Sequence, residues 1–410
     1  MPGTLELASP ETDALRQQLS ALFEPMMQSL HSKAGAQFSV EILREKPVQD
    51  FIDAHAQVLD GAFSQTAMSD RMRQRLQQSD YIFSGIKTFH ELNEAFPSLV
   101  DESGNRKPFE QFLNDVRKID ETYNKNYLRA EYNFVQSSAE MAGKWEQIEQ
   151  DGDRYNLQYR TAGDSKVRPE HAALNGVTLP PSDPFWQTYY PPNGWNCRCT
   201  VVQVRKTKYP TTPRDEAMKR GAQATGKDTK GIFQFNAGQQ QKTMPDYNPY
   251  TIKRCRDCDI AKGKVNLVFV PENELCSACQ IVRALANADS KQTRKLAKPL
   301  QGTSINIPQF PHPIKISRAS ITEWTNQPNK YYQEKNKMLL RIHEVLMESE
   351  YLGPATPHKP KERLSFSHIF STKVKGEEQC IIVWEWDWGE YTLHSISDHP
   401  EEIKKHIIKK

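Results

Sequence analysis

The apolar spacing between Phe109 and about Glu149 is the feature that most constrains the fold. Apolar residues recur there every three or four positions, polar residues fill the other positions, and no proline interrupts the pattern. The recurring residues are Phe112, Val116, Ile119, Tyr123, Tyr127, Ala130 and Phe134. This spacing predicts one long amphipathic helix, which is typical of a packing or assembly element.

The 410 residues are too many for one ordinary hydrophobic core, so we expect an α+β multidomain protein. Residues 1–105 are predicted to be a helical region, and residues 106–204 contain the long helix and a block rich in Cys and His. Residues 205–254 carry 11 Lys and Arg against 4 Asp and Glu, which indicates a basic linker or surface arm. Residues 255–300 form a cysteine module with a helical joint, and residues 301–410 are predicted to be a separate α+β domain.

Two of these regions carry recognisable periodicity. A helical stripe in the first region consists of Phe51, His55, Val58, Leu59 and Phe63. In the last region, one or two helices are expected to end at Gly353-Pro354. Three strands then follow at 364–374, 379–388 and 390–398, with a hairpin turn at 375–378. Helices followed by an antiparallel meander are predicted for this domain.

Charge and hydropathy exclude some partners. The formal net charge is +3 at pH 7 and does not by itself indicate a nucleic-acid partner. No stretch approaches the roughly 20 apolar residues needed to span a bilayer, so no membrane partner is expected. The first residues lack the pattern of a signal peptide. We therefore expect a cytoplasmic protein, or one assembled from the cytoplasm into a particle.

Six of the seven cysteines are closely paired. In a cytosolic chain, close pairs favour metal binding over disulfides. Cys197 and Cys199, with His171 and with Asp164 or another nearby group, can form a tetrahedral zinc site. The alternatives are a buried hydrogen-bonded network around His171 and Asp164, with two small buried cysteines, or a catalytic metal with an open position.

A second cluster has the spacing of a zinc ribbon. Its four residues are Cys255, Cys258, Cys276 and Cys279. The run from Lys264 to Val270 can supply a strand between the two pairs, and metal would supply the folding energy. A CxxC redox centre is the alternative, but nothing around either pair suggests a thioredoxin-like unit. We interpret the cluster as a structural zinc module that forms a rigid joint.

The middle of the chain resembles the Mu F-like phage head-morphogenesis family. The resemblance covers about residues 50–204 and is carried by Tyr127 to Tyr132, Ala139, Met141 and Trp145, Tyr159 to Gly176, Asp183 to Trp186, and Pro191 to Cys199. It implies a structural minor capsid protein of the virion, associated with phage portal and capsid proteins and needed for head assembly. It argues against enzyme activity in this block.

The last hundred residues resemble phage-associated nuclease domains of the barnase–EndoU–colicin–RelE type. The residues that carry the resemblance are Glu323 to Asn336, Glu350 to Gly353, Ser367 to Phe370, and Leu393 to Asp398. It implies a small RNase toxin that needs no metal. His368 and His394, on neighbouring predicted strands, would act as general base and acid, with Ser395, Lys330, Lys373 and Tyr332 as helpers.

Other interpretations of the last domain stay open. Histidines on strands are usually ordinary polar residues, and Trp384, Trp386 and Trp388 alternate as one face of a sheet. Residues 301–410 carry 15 Lys and Arg against 14 Asp and Glu, whereas RNA-binding domains are often clearly basic. The alternative is therefore a purely structural virion protein whose last domain docks to another protein without catalysis.

Overall fold

The computed structural model describes residues 10–33, 38–245, 248–251, 274–287, 290–329, 331–357, 362–374 and 376–408. The chain divides into two compact units, Met1–Cys279 and Gln280–Lys410. Helices and strands both occur, so the predicted α+β class is confirmed. Among the described residues, no helix is both long enough and apolar enough to cross a membrane.

The first unit begins with helices. They are α1 (Pro10–Ser32), α2 (Lys46–Gly61), α3 (Asp70–Ala95), α4 (Phe109–Asp120) and α5 (Leu128–Asp151), with short 3₁₀ turns at Val40–Arg44, Phe96–Leu99 and Gly152–Arg154. Ser69 caps α3 by accepting a hydrogen bond from the Met72 amide. The stripe predicted around α2 is confirmed, since all five of its residues, from Phe51 to Phe63, are buried.

The predicted long helix is continuous but not uniform. A π-helical segment, Glu121–Tyr127, joins α4 to α5. The predicted residues Phe112, Val116 and Ile119 are buried before this segment, whereas Tyr127, its last residue, is exposed. Asn124 and Leu128 are buried instead of the predicted Tyr123 and Tyr127. The wider turn of a π-helix moves the buried face by one residue, which a search for period 3.6 does not detect.

A buried ionic network lies against the π segment. Lys87 Nζ of α3 donates to Glu131 Oε2 at 2.7 Å, contacts His55 Nε2 at 2.9 Å and donates to the Tyr123 carbonyl at 2.8 Å. Burial alone would raise the pKa of Glu131, but Lys87 and His55 outweigh it and lower that pKa to about 2. Burial and Lys87 together lower the pKa of His55 to about 4.

A small sheet follows α5. Its strands are β1 (Asn156–Arg160), β2 (Thr178–Leu179) and β3 (Thr200–Val204), in the order β2-β1-β3 with antiparallel pairing. The short helices α6 (Pro169–Ala172) and α7 (Phe185–Tyr189) lie in the connections. Trp186 and Tyr190 are fully buried in the core of this block, beside Tyr159 of β1.

Residues 205–245 differ from the linker expected there. They contain α8 (Arg214–Ala224) and α9 (Ala237–Gln240), and they pack on the helical unit. The Phe233 ring lies 5.4 Å from the Phe134 ring of α5, and Tyr250 donates a 2.5 Å hydrogen bond to Glu131. The apolar anchors are too few and too irregularly spaced to produce a periodic signal, so composition alone indicated a linker.

The second unit contains a six-stranded sheet. Its strands are β4 (Ser304–Ile307), β5 (Phe310–Lys315), β6 (Glu350–Ala355), β7 (Leu364–Val374), β8 (Glu377–Trp386) and β9 (Tyr391–Ser397), in the order β4-β5-β9-β8-β7-β6. The helices are α10 (Glu274–Asn287, which spans the boundary between the units), α11 (Ser290–Ala297), α12 (Arg318–Asn326), α13 (Tyr332–Leu340), α14 (Ile342–Glu348) and α15 (Pro400–Lys404). One face of the sheet packs on the helices around Trp324 and Phe370.

The predicted meander at 364–398 is confirmed as β7, β8 and β9, but the rest of the sheet was not predicted. β4 and β5 precede the helices, and β5 pairs with β9 in parallel. The predicted helix end at Gly353-Pro354 is wrong, because α14 ends at Glu348 and Glu350–Ala355 forms β6. A positive φ of 126° at Gly353 bends this edge strand at its bulge.

The contact of α9 with α5 can be tested at Gly238. A Cβ atom there would overlap the Trp145 indole, with Cδ1 only 2.9 Å away. We expect Gly238→Ala to destabilise the chain by about 1–3 kcal/mol through overpacking, as measured by urea unfolding followed by circular dichroism. Gly61→Ala is the matched control, since its nearest neighbour is 4.0 Å away. Equal stability of the two variants would contradict the packing of residues 205–245.

The buried carboxyl group of Glu91 should make the stability of the chain depend on pH. Burial raises the pKa of Glu91 from 4.5 to about 8, so the folded chain keeps a proton that the unfolded chain loses above pH 4.5. The stability contributed by the protonated group is therefore lost as the pH rises from about 4.5 to about 8, by at most about 1.4 kcal/mol per pH unit.

The variant Glu91→Gln keeps the neutral form at every pH and should remove this loss. Urea unfolding at pH 5, 6.5 and 8 should show the variant gaining stability relative to wild type as the pH rises. Glu110→Gln, at an exposed position, is the control and should follow wild type. A constant difference between Glu91→Gln and wild type across this range would refute the protonated state.

Candidate functional site

A buried group of His171, Cys197 and Cys199 can hold a metal ion, and its ligand atoms all lie within 4.8 Å of one another. His171 lies on α6, which begins at Pro169, a residue suited to a first helical turn. Cys197 and Cys199 precede β3, and Arg198 between them is exposed. The structure therefore brings together three of the four residues predicted for the first zinc site.

The spacing of the three ligand atoms fits a tetrahedral metal ion. His171 Nδ1 lies 3.6 Å from Cys197 Sγ and 3.9 Å from Cys199 Sγ. Zinc–sulfur and zinc–nitrogen bonds at tetrahedral angles place sulfur and nitrogen about 3.6 Å apart. A zinc ion would thus need little movement of these side chains.

Neighbouring elements hold the two cysteines in place. β3 pairs with β1 so that Tyr159 is opposite Val201, two residues beyond Cys199. The Tyr159 hydroxyl donates to Asn193 Oδ1 at 2.8 Å, and Ser137 of α5 donates to the Cys197 carbonyl at 3.3 Å. The loop that carries the thiols is therefore anchored to both the sheet and the long helix.

The two thiols differ in their affinity for a proton. A hydrogen bond from the Cys199 thiol lowers the pKa of Cys197 well below its usual value, although burial opposes this. The same hydrogen bond raises the pKa of Cys199. A bound cation would take the place of the proton that the two thiols share in this hydrogen bond.

Asp164, predicted as a ligand of this site, lies outside the cluster. Both of its carboxylate oxygens accept hydrogen bonds from the Arg198 guanidinium at 2.7 Å. These bonds lower the pKa of Asp164 to about 2. The prediction of Asp164 as a metal ligand is therefore not supported by the geometry, because its charge is already neutralised at the surface by Arg198.

The second predicted cluster cannot be placed. Cys255, Cys258 and the expected strand from Lys264 to Val270 lie outside the described residues, as does the side chain of Cys276. Cys279 lies on α10 and is partly buried. Zinc binding by these four residues stays a prediction.

The two histidines predicted as an acid–base pair lie on opposite faces of the second sheet. His368 pairs with Val383 and shares its buried face, beside Phe310. His394 stacks on Trp384, the next residue along β8, with ring centroids 3.5 Å apart. Ser395 pairs with Ile382 on the face of Trp384, and Lys330 lies outside the described residues. Among the described residues, the structure therefore does not bring His368 together with His394 and Ser395.

His368 has other partners. Its Nδ1 lies 2.7 Å from the Tyr351 hydroxyl, and its Nε2 lies 2.8 Å from Glu385 Oε2. The Tyr391 hydroxyl reaches the other Glu385 oxygen at 3.3 Å, and the exposed His312 ring stacks on Tyr391 at 4.2 Å. Burial lowers the pKa of His368, although Glu385 opposes the shift. The sequence offered one indication of where Glu385 lies. This residue stands between Trp384 and Trp386 in a predicted strand, so its side chain occupies the opposite face from theirs.

The block that holds the three-residue cluster has known relatives. Residues 102–202 match the family described as Phage Mu protein F like protein. This block is similar to the Mu F-like family. It is 41% identical over 104 residues to "Putative capsid assembly protein F" of Escherichia phage Mu, covering 25% of this chain and 21% of that protein.

A second relative is the "Mu-like prophage FluMu F protein" of Haemophilus influenzae. It is 35% identical over 91 residues, which cover 20% of this chain and 22% of that protein. The chain thus spans about a fifth of the length of the two curated relatives. No solved structure matches the chain.

The second unit matches a different family. Residues 285–390 match the family described as Large polyvalent protein-associated domain 3. This description names no reaction, so the predicted nuclease stays a prediction. The match begins within α10 and ends before β9, so it contains His368 and Glu385 but not His394 or Ser395.

Metal content tests the ligand set. We expect Cys199→Ser to lower the zinc bound per chain by about one equivalent, because one thiolate ligand is lost from a site with few others. Asp164→Asn should keep the wild-type zinc content, because Asp164 contacts Arg198 and not the cluster. Plasma mass spectrometry of purified full chains measures both. Loss of zinc from Asp164→Asn, or retention by Cys199→Ser, would show that the ligand set is wrong.

Proposed function

We propose that the chain is a phage head-morphogenesis protein that acts in capsid assembly beside the portal and coat proteins of its phage. The observation that carries this proposal is the 41% identity between its Mu F-like block and the capsid assembly protein of phage Mu. The construction of the first unit agrees with such a role. A helical run from Phe109 to Asp151 joins a helical core to a block of short strands and ordered loops.

We further propose that zinc at His171, Cys197 and Cys199 stabilises this block. The segment from Arg160 to Thr200 has little regular structure, and its two ends pair with each other in β1 and β3. The pairing of β1 with β3 is one link between distant parts of this segment. A metal that joins His171 of α6 to the loop before β3 would add a second link. Zinc binding then contributes free energy to the fold, as it does in small metal-stabilised domains.

Particle assembly tests the proposal. The full chain should restore head formation to the parent phage or prophage lacking its gene, as counted by electron microscopy of lysates. Cys197→Ser should restore few heads, whereas Cys380→Ser, which removes a buried thiol of the second unit, should restore them. Full head formation without the gene would refute the assembly role, and normal heads with Cys197→Ser would refute only the zinc role.

A second candidate function concerns Gln280–Lys410. We propose that this unit cleaves RNA at the face that holds His368, Glu385, Tyr391 and His312. The supporting observation is the hydrogen-bonded chain from Tyr351 through His368 to Glu385, which orients a carboxylate that is 24% exposed. The alternative is a docking domain that holds another virion protein without catalysis.

The proposed reaction needs a base, an acid and no metal. Glu385 would take the proton of a ribose 2′-hydroxyl, whose oxygen then attacks the adjacent phosphorus. The bond from phosphorus to the 5′-oxygen breaks, and His312 would give that oxygen its proton. The products are a 2′,3′-cyclic phosphate and a 5′-hydroxyl, so atoms and charge balance. His368 would hold Glu385 in position as a positioning residue.

RNA cleavage by the full chain in EDTA tests this second function. Glu385→Gln is expected to lower the rate by about 100-fold or more, in line with the usual contribution of a general base. His394→Gln should retain activity, because its ring lies on the other face of the sheet. Absence of cleavage by the wild-type chain would favour the docking role, and equal loss in both variants would contradict the proposed face.

A further inference from the structure

The three-residue cluster borders a basic cavity. The cavity has a volume of about 400 Å³, and His171, Cys197 and Cys199 form part of its wall. Four cationic side chains also line it: Arg129, Lys166, Arg168 and Arg198. Within the described part of the chain, the lining contains no Asp or Glu. An anion that entered this cavity would meet both the cluster and several positive charges.

Within the described ranges, the cluster offers three protein ligands. Structural zinc sites have four protein ligands, whereas sites with three protein ligands bind a fourth ligand from outside. Among the described residues, only His171, Cys197 and Cys199 group together as metal ligands. Their wall of the cavity is where an outside ligand can reach the metal.

The cationic side chains around the cavity favour an anion as the outside ligand of the metal. Two thiolates and a neutral imidazole neutralise Zn²⁺, so an added oxyanion would give the centre a negative charge. Burying such a charge is costly unless cations compensate for it. The Arg168 guanidinium and the Lys166 ammonium at the cavity supply that compensation, and a guanidinium can hold two oxygens of a carboxylate or phosphate at once.

Arg168 is held in the wall by its surroundings. It donates through Nη2 to the Trp195 carbonyl, and its guanidinium lies over Gly194, where a Cβ atom would come within 2.9 Å of Nη1. A glycine at 194 is therefore needed for the guanidinium to lie against the loop that carries both cysteines. The position of Arg168 is thus tied to the position of the metal ligands.

We propose that this cavity binds a small oxyanion, a carboxylate or a phosphate group, which completes the coordination of the metal and is held by Arg168 and Lys166. The proposal rests on the zinc centre proposed above. It explains why a buried three-ligand cluster opens towards positive charge rather than towards an apolar wall. It also provides a means by which an oxyanion-bearing molecule can be attached to the block.

Cobalt substitution tests the proposal in the full chain. The visible spectrum of bound Co²⁺ reports its ligands, and subtraction of the spectrum of the Cys199→Ser variant isolates this cluster from the other cysteines. Sodium acetate and inorganic phosphate are titrated separately at constant ionic strength, with perchlorate as the control. We expect one of the two anions to change the spectrum saturably, and the arm that does so identifies the ligand class.

Two variants and two controls complete the experiment. Arg168→Gln and Lys166→Gln should still bind cobalt but require about tenfold more anion, since each removes a charge-assisted hydrogen bond. Lys206→Gln, an exposed cation outside the lining, should behave as wild type. Tyr159→Phe tests the nearest hydroxyl as a fourth protein ligand and should leave the anion response in place.

The outcomes separate the two proposals. Cobalt bound without any response to acetate or phosphate would overturn the oxyanion site and leave the metal centre standing. A spectrum that changes in Tyr159→Phe but not with anion would overturn it in favour of a phenolate ligand. A chain that binds no cobalt at the cluster would overturn the metal centre and the oxyanion site together, while head assembly is judged by the particle counts.

Discussion

The ammonium group of Lys87 is buried among helices, and the first unit is organised around the groups that satisfy it. A buried charge of this kind costs several kcal/mol unless it is paired and hydrogen-bonded. Glu131, His55 and the Tyr123 carbonyl supply three acceptors within 2.9 Å. These partners come from α2, from the π segment and from α5. If one of these three elements shifted alone, the Lys87 ammonium would lose one of its hydrogen-bond partners.

The consequences of this network extend along α5. The Tyr123 carbonyl and the Glu131 carboxylate both accept hydrogen bonds from Lys87. These two bonds fix the position of the π segment and the rotation of α5 about its own axis. That phase directs Ser137 towards the Cys197 carbonyl and the Met141 carbonyl towards the Tyr190 hydroxyl, at 3.3 and 3.0 Å. A regular α-helix would rotate this face away from the block. The position of the loop that carries Cys197 and Cys199 thus depends on a buried ion pair that the two cysteines do not contact.

Sequence reasoning succeeded where one simple rule governs the structure. The stripe from Phe112 to Ile119 and the strands at 364–398 follow the helical and strand periods. The close spacing of Cys197 and Cys199 agrees with the grouping of their thiols beside His171, and metal binding by this group stays a proposal. Prediction from the sequence failed where the residues that contact an element lie far from it along the chain. Nothing near Tyr127 indicates the π segment, and the Lys87 ammonium that contacts this segment belongs to α3, 36 residues before Tyr123.

The same limit applies to residues 205–245 and to the edge strands. Phe233 and Tyr250 find their partners on α5, about a hundred residues earlier in the chain, so their own neighbourhood shows only polar composition. β4 has only four residues and β5 contains two prolines. The pairing of β4 with β5 and of β5 with β9 supplies the stability that local propensity lacks. Long-range pairing of this kind leaves no local pattern to detect.

Alternation of side chains decides the chemistry at both candidate sites. In Cys197-Arg198-Cys199 the outer residues are buried and the middle one is exposed, so the thiols face His171 while Arg198 reaches outwards to Asp164. In Trp384-Glu385-Trp386 the carboxylate faces His368, while Trp384 stacks on His394 on the other face. Each short motif therefore separates two sets of groups that look adjacent in sequence. Asp164 was assigned to its site as a nearby group, and His394 as a residue on a neighbouring predicted strand. In both cases the strand-like alternation places the residue on the other side.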